Sequence, residues 1–180
     1  FPDAKVKYLG NDACLGCHAK ESAVWRETKH AKAYAGLEQV ARKPSLRNFD
    51  GECIVCHVVG FEYLSGFDGT PATSHLKNVG CESCHGPGSL HAASPRAKKY
   101  FPYLSPWRGD TKEKLPDAAT LKKLLDAPNP KDRAKIVTAE QEKLLVKMDA
   151  VCQKCHDPDN DPHFRFEKYW PQIAHSGLDK

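Results

Sequence analysis

The clearest periodic pattern of apolar residues lies in the last third of the chain. Four apolar residues recur there at intervals of three and four positions, which places them on one side of a helix: Leu144, Leu145, Met148 and Val151. Thr138 precedes Gln141 by three positions, the spacing of a helix-opening capping box. The pattern predicts an amphipathic helix over residues 138–155, with Met148 in a protein core.

Elsewhere the pattern predicts short elements. Helix-forming residues with one aromatic side favour a helix from about 19 to 41 that ends near Pro44. Asp117 is placed to cap a short helix over 117–126. Glycines and three aromatic residues between 60 and 73 indicate a loop or a short hairpin. The proline- and lysine-rich segment 92–137 is typical of an ordered surface insertion.

The composition is too polar for an ordinary core in a chain of this length. The 180 residues are 28% charged, and the mean hydropathy is −0.61. No stretch of 18 or more apolar residues is present, so the sequence predicts no membrane span. The opening Phe1-Pro2-Asp3 has no signal-peptide character, which favours a chain that has already been processed.

All eight cysteines occur in four Cys-x-x-Cys-His pentapeptides. The cysteines are Cys14 and Cys17, Cys53 and Cys56, Cys81 and Cys84, and Cys152 and Cys155, and the histidines that follow are His18, His57, His85 and His156. In a helical turn, residues i, i+3 and i+4 share one face. Two thiols can therefore bond the vinyl groups of one haem while the histidine binds its iron, which is the pattern of c-type haem attachment.

Two simpler hypotheses use the same cysteines. Cys-x-x-Cys pairs can form zinc sites, and an even number of cysteines can form disulfides. Neither hypothesis explains why a histidine follows every pair. We therefore predict four covalently attached haems c.

Four haems leave about 45 residues for each, too few for an ordinary polypeptide core. We expect a mainly α chain with little regular structure, a multihaem cytochrome c wrapped around four covalently bound haems. Residues 1–180 would form a single domain, with 92–137 as a surface insertion between haem sites three and four. Because c-type haem is attached outside the bacterial cytoplasm, the motif predicts a periplasmic or extracellular location.

The formal charge of +4 does not favour nucleic acid as a partner. Ionised propionates give each ferric haem a charge of roughly −1, which brings the total near zero. The chain also has no basic stripe. The lysine pairs at 98–99 and 122–123 are more typical of a solvated face than of a docking site.

The reactivity of each iron depends on its sixth ligand. Five histidines lie outside the motifs: His30, His75, His91, His163 and His175. The only methionine, Met148, belongs to the apolar side of the predicted helix, so we expect bis-histidine irons of low potential. We expect His30, His75, His91 and His175 to be the distal ligands, with His163 spare or in place of one of them.

The acidic run over 157–161 offers oxygen ligands, but it lacks the remaining spacing of a calcium-binding EF-hand loop. We predict a tight turn there.

Three segments resemble the tetrahaem cytochrome c-554 family, whose members accept electrons in hydroxylamine oxidation. They are Cys14-Leu-Gly-Cys-His18 with the following Trp25-Arg-Glu-Thr-Lys-His30-Ala-Lys-Ala, then Cys53-Ile-Val-Cys-His-Val-Val-Gly-Phe61, and Val79-Gly-Cys-Glu-Ser-Cys-His-Gly-Pro-Gly88. These segments cover roughly the first half of the chain, and the fourth motif adds to the resemblance. The resemblance implies a mainly helical wrap around stacked and angled haem pairs.

The resemblance also implies a set of ligand pairs. It places His30 opposite His156, His91 opposite His18, and His175 opposite His85. In the family the second haem is commonly five-coordinate, which would leave the iron of His57 open to a small ligand. Here His75 lies where the family pattern has no histidine, so ligation of that iron by His75 is the alternative.

These features predict an electron-transfer protein rather than an enzyme, with redox proteins as partners. The tail from Asp161 to His175 also resembles tetrahaem cytochromes of metal-reducing bacteria, some of which polymerise into extracellular conductive filaments. A surplus histidine is compatible with ligation across subunits. The alternatives are a soluble periplasmic carrier of the hydroxylamine-oxidation type, or an enzyme that reduces a nitrogen oxide at a five-coordinate haem.

Overall fold

A computed structural model describes residues 5–40, 46–109 and 111–175. This part of the chain is mainly helical and contains no β-strand, in agreement with the predicted fold class. It divides into two compact units. The first comprises the described residues up to Ser105 together with His175, and the second comprises Pro106–Ala174.

The first unit contains seven short α-helices. They are α1 (Asp12–Leu15), α2 (Ala19–Arg26), α3 (Ala33–Val40), α4 (Gly51–His57), α5 (Cys81–His85), α6 (Ser89–Ala93) and α7 (Phe101–Leu104). Four 3₁₀ helices lie between them, at Lys29–Lys32, Arg47–Phe49, Pro71–Leu76 and Lys98–Tyr100. None of these elements is longer than eight residues, so contacts between side chains hold them together.

The continuous helix predicted from 19 to 41 is wrong. Helix α2 ends at Arg26, and Thr28 takes an extended conformation with φ −85° and ψ 160° before the chain turns into a 3₁₀ helix and α3. The Thr28 hydroxyl donates to the Trp25 carbonyl at 2.7 Å, and the Trp25 indole donates to the Val79 carbonyl at 2.8 Å. The bond from Trp25 to Val79 joins distant segments and offsets the helical hydrogen bonds that are lost at this break. The predicted end near Pro44 lies outside the described residues.

The loop predicted over 60–73 is present, without a strand in the described residues. Gly60 has φ +68°, and a Cβ there would lie 2.5 Å from the ring of Tyr8. A Cβ on Gly66 would overlap the Gly60 carbonyl. The amide of Phe67 then donates to the Val59 carbonyl at 3.0 Å, which closes the loop. Glycine is required here because backbone meets backbone and an aromatic ring.

In its described residues, the second unit contains four α-helices. They are α8 (Ala118–Leu125), α9 (Pro130–Arg133), α10 (Ala139–Cys152) and α11 (Phe166–Ile173). Both predicted caps are present: the Asp117 side chain accepts from the Thr120 amide, and Thr138 forms a capping box with Gln141. Helix α10 ends at Cys152, three residues before the predicted end.

Each unit has its own small apolar cluster. In the first unit it consists of Tyr34, Leu37, Ile54, Val58, Val59, Phe67 and Leu76. In the second it consists of Leu121, Leu124, Val137, Leu144, Leu145, Met148 and Phe166. The core role predicted for Met148 is confirmed, since it is 4% exposed. Leu121 and Leu124 are buried although they lie in the segment expected to be a surface insertion.

A partly buried arginine joins three elements of the second unit. Arg133 Nε donates to Glu142 at 2.8 Å, and its Nη1 donates to Glu167 at 2.7 Å. None of the described helices is long and apolar enough to cross a membrane.

Candidate haem-binding sites

The four motifs occupy short helical turns. Motifs two and three lie on α4 and α5, motif one begins in α1, and motif four begins at the C-terminal residue of α10. In motifs one and four the histidine amide donates to the carbonyl of the first cysteine, four residues earlier, at 2.9 Å. This is the helical geometry that brings the two thiols and the imidazole to one face.

The cysteines form no disulfide bonds within the described residues, which include all eight of them. Within those ranges no group of three or more histidine, cysteine or acidic side chains is arranged to hold a metal ion. The described residues thus contain neither a disulfide nor a cluster of metal-binding side chains.

Two motif histidines are oriented by backbone carbonyls. His57 Nδ1 is 2.7 Å from the carbonyl oxygen of Ala33, and His85 Nδ1 is 2.6 Å from that of Leu104. A ring whose Nδ1 donates to a carbonyl presents Nε2 as its free lone pair. These two rings are therefore held in the tautomer that can bind iron.

The other two motif histidines face carboxylates. His156 Nδ1 is 2.8 Å from Asp161 Oδ2, within hydrogen-bond distance. His18 Nδ1 is 3.9 Å from Glu21 Oε2, which is an ion-pair distance but too long for a hydrogen bond.

Two pairs of histidine rings face each other within the first unit. The ring centroids of His18 and His91 are 6.1 Å apart, and those of His85 and His175 are 6.0 Å apart. An imidazole nitrogen binds a transition metal at about 2.0 Å and lies about 1.1 Å from its ring centroid, so two imidazoles across one metal have centroids roughly 6.2 Å apart. Each pair thus leaves room for one iron atom.

The electrostatics of these rings suit metal binding. Burial lowers the pKa of His85 and of His91, and neighbouring imidazoles add to the effect. The neutral imidazole, which this favours, is the form that binds metal. His91 Nδ1 is buried and has no hydrogen-bond partner among the described residues. This unpartnered nitrogen of His91, in a ring 6.1 Å from that of His18, fits a haem iron held between the two imidazoles.

The remaining predicted ligands are placed differently. His30 lies in the 3₁₀ helix Lys29–Lys32 of the first unit, and its carbonyl accepts from the Val79 amide at 3.2 Å. Its pairing with His156, in the second unit, stays a prediction. His163 is exposed in the turn before α11.

His75 lies against Gly10. A Cβ on Gly10 would be 2.9 Å from His75 Cδ2, and Gly10 has φ +79°. No ring contact joins His75 to His57 in the described part of the chain, so ligation of the second iron by His75 stays a prediction.

Sequence reasoning missed Glu82, which lies inside the third motif. It is 4% exposed and accepts from the amides of Leu9, Gly10 and Gly88, at 2.9, 2.8 and 2.7 Å. Burial raises its pKa, against the effect of these three bonds. One carboxylate therefore joins the segment before motif one to the Gly-Pro-Gly turn that leads to His91. An acidic residue between the two cysteines and followed by that turn was the available signal.

Asn11 strengthens the same junction. Its side-chain oxygen accepts from the Cys81 amide at 2.8 Å. The Lys7 amide donates to Ser89 Oγ at 2.8 Å. Backbone segments that carry motif one, motif three and His91 are thus hydrogen-bonded to one another.

Comparisons with known proteins agree with the motifs. Residues 13–86 match the family described as cytochrome c554 and c-prime. Cytochrome c-554 of Nitrosomonas europaea is 34% identical over 95 residues, which is 47% of this chain and 40% of that protein. The chain thus spans less than half the length of this relative. No solved structure matches the chain.

The expectation that the chain is not an enzyme is corrected. It depended on all four irons being saturated, which the comparisons do not show. The matched relative is a cytochrome by name, and that match shows enzymatic activity neither present nor absent.

The match to residues 13–86 includes the first three motifs, and covalent attachment of haem c is what this family implies for them. The predicted resemblance is confirmed over residues 13–86, which are similar to the cytochrome c554 and c-prime family.

Proposed function

We propose that the chain is a tetrahaem c-type cytochrome that transfers single electrons between redox proteins. The observation that carries the proposal is the separation of the facing imidazoles, 6.1 Å for His18 with His91 and 6.0 Å for His85 with His175. When bound, each haem supplies an iron that exchanges one electron, at low potential if both axial ligands are imidazoles. The residues of the protein would position these ligands.

We assign one haem to each motif. His91 and His175 are the distal ligands for the irons of His18 and His85, supported by the ring separations. His30 is the distal ligand for the iron of His156, supported by the family resemblance. For the iron of His57 the two sequence-based alternatives, ligation by His75 or an open sixth position, lead to different spectra.

The proposed location is the periplasm or the cell exterior, because c-type haem is attached after export. The proposed partners are redox proteins that would exchange electrons with the haems. Polymerisation into a conductive filament is supported only by the surplus histidine, and the exposed His163 is the residue available for it. Electron micrographs of native material test that form, and a monomer at every concentration would exclude it.

The decisive experiment combines mass spectrometry with electron paramagnetic resonance of the exported protein. We expect four haem additions to the mass and low-spin signals from bis-histidine irons. Replacing a distal ligand, His91→Ala, converts one low-spin iron to a high-spin or a carbon-monoxide-binding one. His163→Ala is the matched control and leaves the monomer's spectrum unchanged.

Other outcomes would contradict the proposal. A mass without haem, or fewer than four additions in fully exported material, would refute the tetrahaem assignment. An unchanged spectrum in His91→Ala would refute the ligand pair. Turnover of a nitrogen oxide by the wild-type protein, together with a carbon monoxide band shift, would favour the enzyme alternative.

A further inference from the structure

The acidic run over 157–161 is a turn that aims one carboxylate at a motif histidine. Asp157 Oδ1 accepts from the amides of Asp159 and Asn160, at 3.0 and 2.8 Å. The Asp161 amide donates to the Asp157 carbonyl at 2.8 Å. The predicted turn is therefore present, and it is capped by Asp157. This leaves the Asp161 side chain free to reach His156 Nδ1 at 2.8 Å.

Aromatic stacking holds the same imidazole from one side. The ring of Phe164 stacks on His156 with centroids 4.5 Å apart and an interplanar angle of 18°. Tyr169 stacks on Phe164 in turn, at 5.6 Å and 8°. The Phe164 amide donates to the Asp161 carbonyl at 3.0 Å, so the stack and the carboxylate belong to one rigid segment. Both the orientation and the hydrogen bond of His156 are thereby fixed.

The partner of His156 differs in charge from those of His57 and His85. The latter two donate to neutral carbonyls, whereas His156 donates to a carboxylate. A charged acceptor makes a stronger hydrogen bond and shifts electron density onto the imidazole. A more basic axial ligand and a nearby negative charge both stabilise ferric over ferrous iron.

Solvent reduces this effect without removing it. The side chains of His156 and Asp161 are 33% and 36% exposed. Screening therefore weakens the Coulomb interaction of the carboxylate with a distant charge. The direct hydrogen bond is short and is not screened in the same way.

We propose that Asp161 is a positioning and polarising residue that lowers the reduction potential of the iron held by His156. The fourth motif then provides the strongest reductant among the three sites whose histidine Nδ1 has a hydrogen-bond partner. This inference rests on the proposed function, because it requires a haem at that motif.

The test uses the full-length, haem-loaded protein and the variant Asp161→Asn. The amide keeps an acceptor at the same position but loses the charge. We expect one of the four midpoint potentials to rise, such that the ratio of reduced to oxidised iron at a fixed potential increases about tenfold, equivalent to roughly 59 mV for one electron. The other three potentials stay in place.

Two further variants make the test specific. Asp159→Asn removes the same charge from an exposed position of the turn, where, among the described residues, the Asp159 side chain forms no hydrogen bond or ion pair with His156. It should leave all four potentials close to wild type. Asp161→Glu keeps the carboxylate on a longer side chain, and we expect a rise smaller than that of the asparagine variant. Optical titration with paramagnetic resonance of each iron provides the readout.

An equal shift in Asp159→Asn and Asp161→Asn would overturn the inference, because the effect would then be one of net charge. No shift in either Asp161 variant, with haem content unchanged, would also overturn it. Haem content is measured before each titration. A wild-type protein that lacks haem at Cys152 and Cys155 would instead refute the proposed function, so the two failures are distinguishable.

Discussion

Replacing Glu82 tests whether one carboxylate holds the first and third motifs together. In Glu82→Ala the amides of Leu9, Gly10 and Gly88 lose their acceptor. A backbone donor left buried without a partner costs about 1–3 kcal/mol, so three would cost roughly 3–9 kcal/mol. Removing a carboxylate that is costly to bury offsets part of this. We expect a net loss of about 3–5 kcal/mol, a large share of the typical free energy of unfolding of about 5–15 kcal/mol.

The assay is guanidinium unfolding of the haem-loaded protein, followed by far-ultraviolet circular dichroism. Glu82→Gln keeps an acceptor oxygen without the charge, so it should lose only about 1–2 kcal/mol. Glu52→Ala is the matched control, because Glu52 directly precedes Cys53, the first residue of motif two, but is exposed. It should change stability by less than about 0.5 kcal/mol.

The result that refutes this reasoning is a Glu82→Ala protein as stable as the Glu52→Ala control. Such a result would mean that water or a shifted backbone satisfies the three amides at no cost. Equal losses in Glu82→Ala and Glu82→Gln would mean that one acceptor oxygen, with an NH₂ group in place of the other, is not enough to satisfy the amides.

Two further predictions concern the backbone and the pH dependence of the first unit. Gly66→Ala should destabilise the protein by more than about 2 kcal/mol, because the new Cβ overlaps a carbonyl. Gly36→Ala, where α3 has open space, should instead stabilise it by about 0.5–1 kcal/mol. Thermal unfolding measures both effects, and similar melting temperatures for the two variants would contradict this prediction. Hydrogen bonds from Thr73 and Thr70 lower the pKa of Asp68 from 3.8 to about 2. The stability that Asp68 contributes is therefore present above pH 3.8 and is lost as the pH falls through about 2, so Asp68→Asn should flatten the acid limb of the stability curve, and an unchanged limb would refute the assignment.

The features that sequence predicted well are those set by local chemistry. At the two caps, the side chains of Asp117 and Thr138 accept hydrogen bonds from backbone amides only three residues further along the chain. The burial of Met148 follows from the helical spacing of its apolar neighbours. The motif helices follow from the Cys-x-x-Cys-His spacing, and the matched family agrees with them over residues 13–86. Each of these patterns is complete within a few turns of chain.

The features that sequence did not predict depend on contacts between distant segments. The break at Thr28 accompanies a bond from Trp25 to Val79, 54 residues away. The buried role of Glu82 depends on amides 72 and 73 residues earlier in the chain. Neither contact produces a periodic pattern in the sequence, because a single donor or acceptor side chain is enough to form it. A polar residue between the two cysteines of a motif is therefore a position at which long-range hydrogen bonds can be expected.

His75 shows how geometry adds to a count of histidines. The sequence makes it the candidate ligand for the iron of His57, and that ligation stays a prediction. In the structure its ring packs against Gly10, close enough to the Glu82 carboxylate to lower the pKa of that group. A packing role predicts that His75→Ala leaves the axial ligands of every iron unchanged. His91→Ala, in contrast, should remove one bis-histidine signal, because His91 faces His18 at 6.1 Å. Paramagnetic resonance of the two haem-loaded variants compares these roles directly. A new high-spin iron in His75→Ala would refute the packing role and restore His75 as the ligand of the second iron.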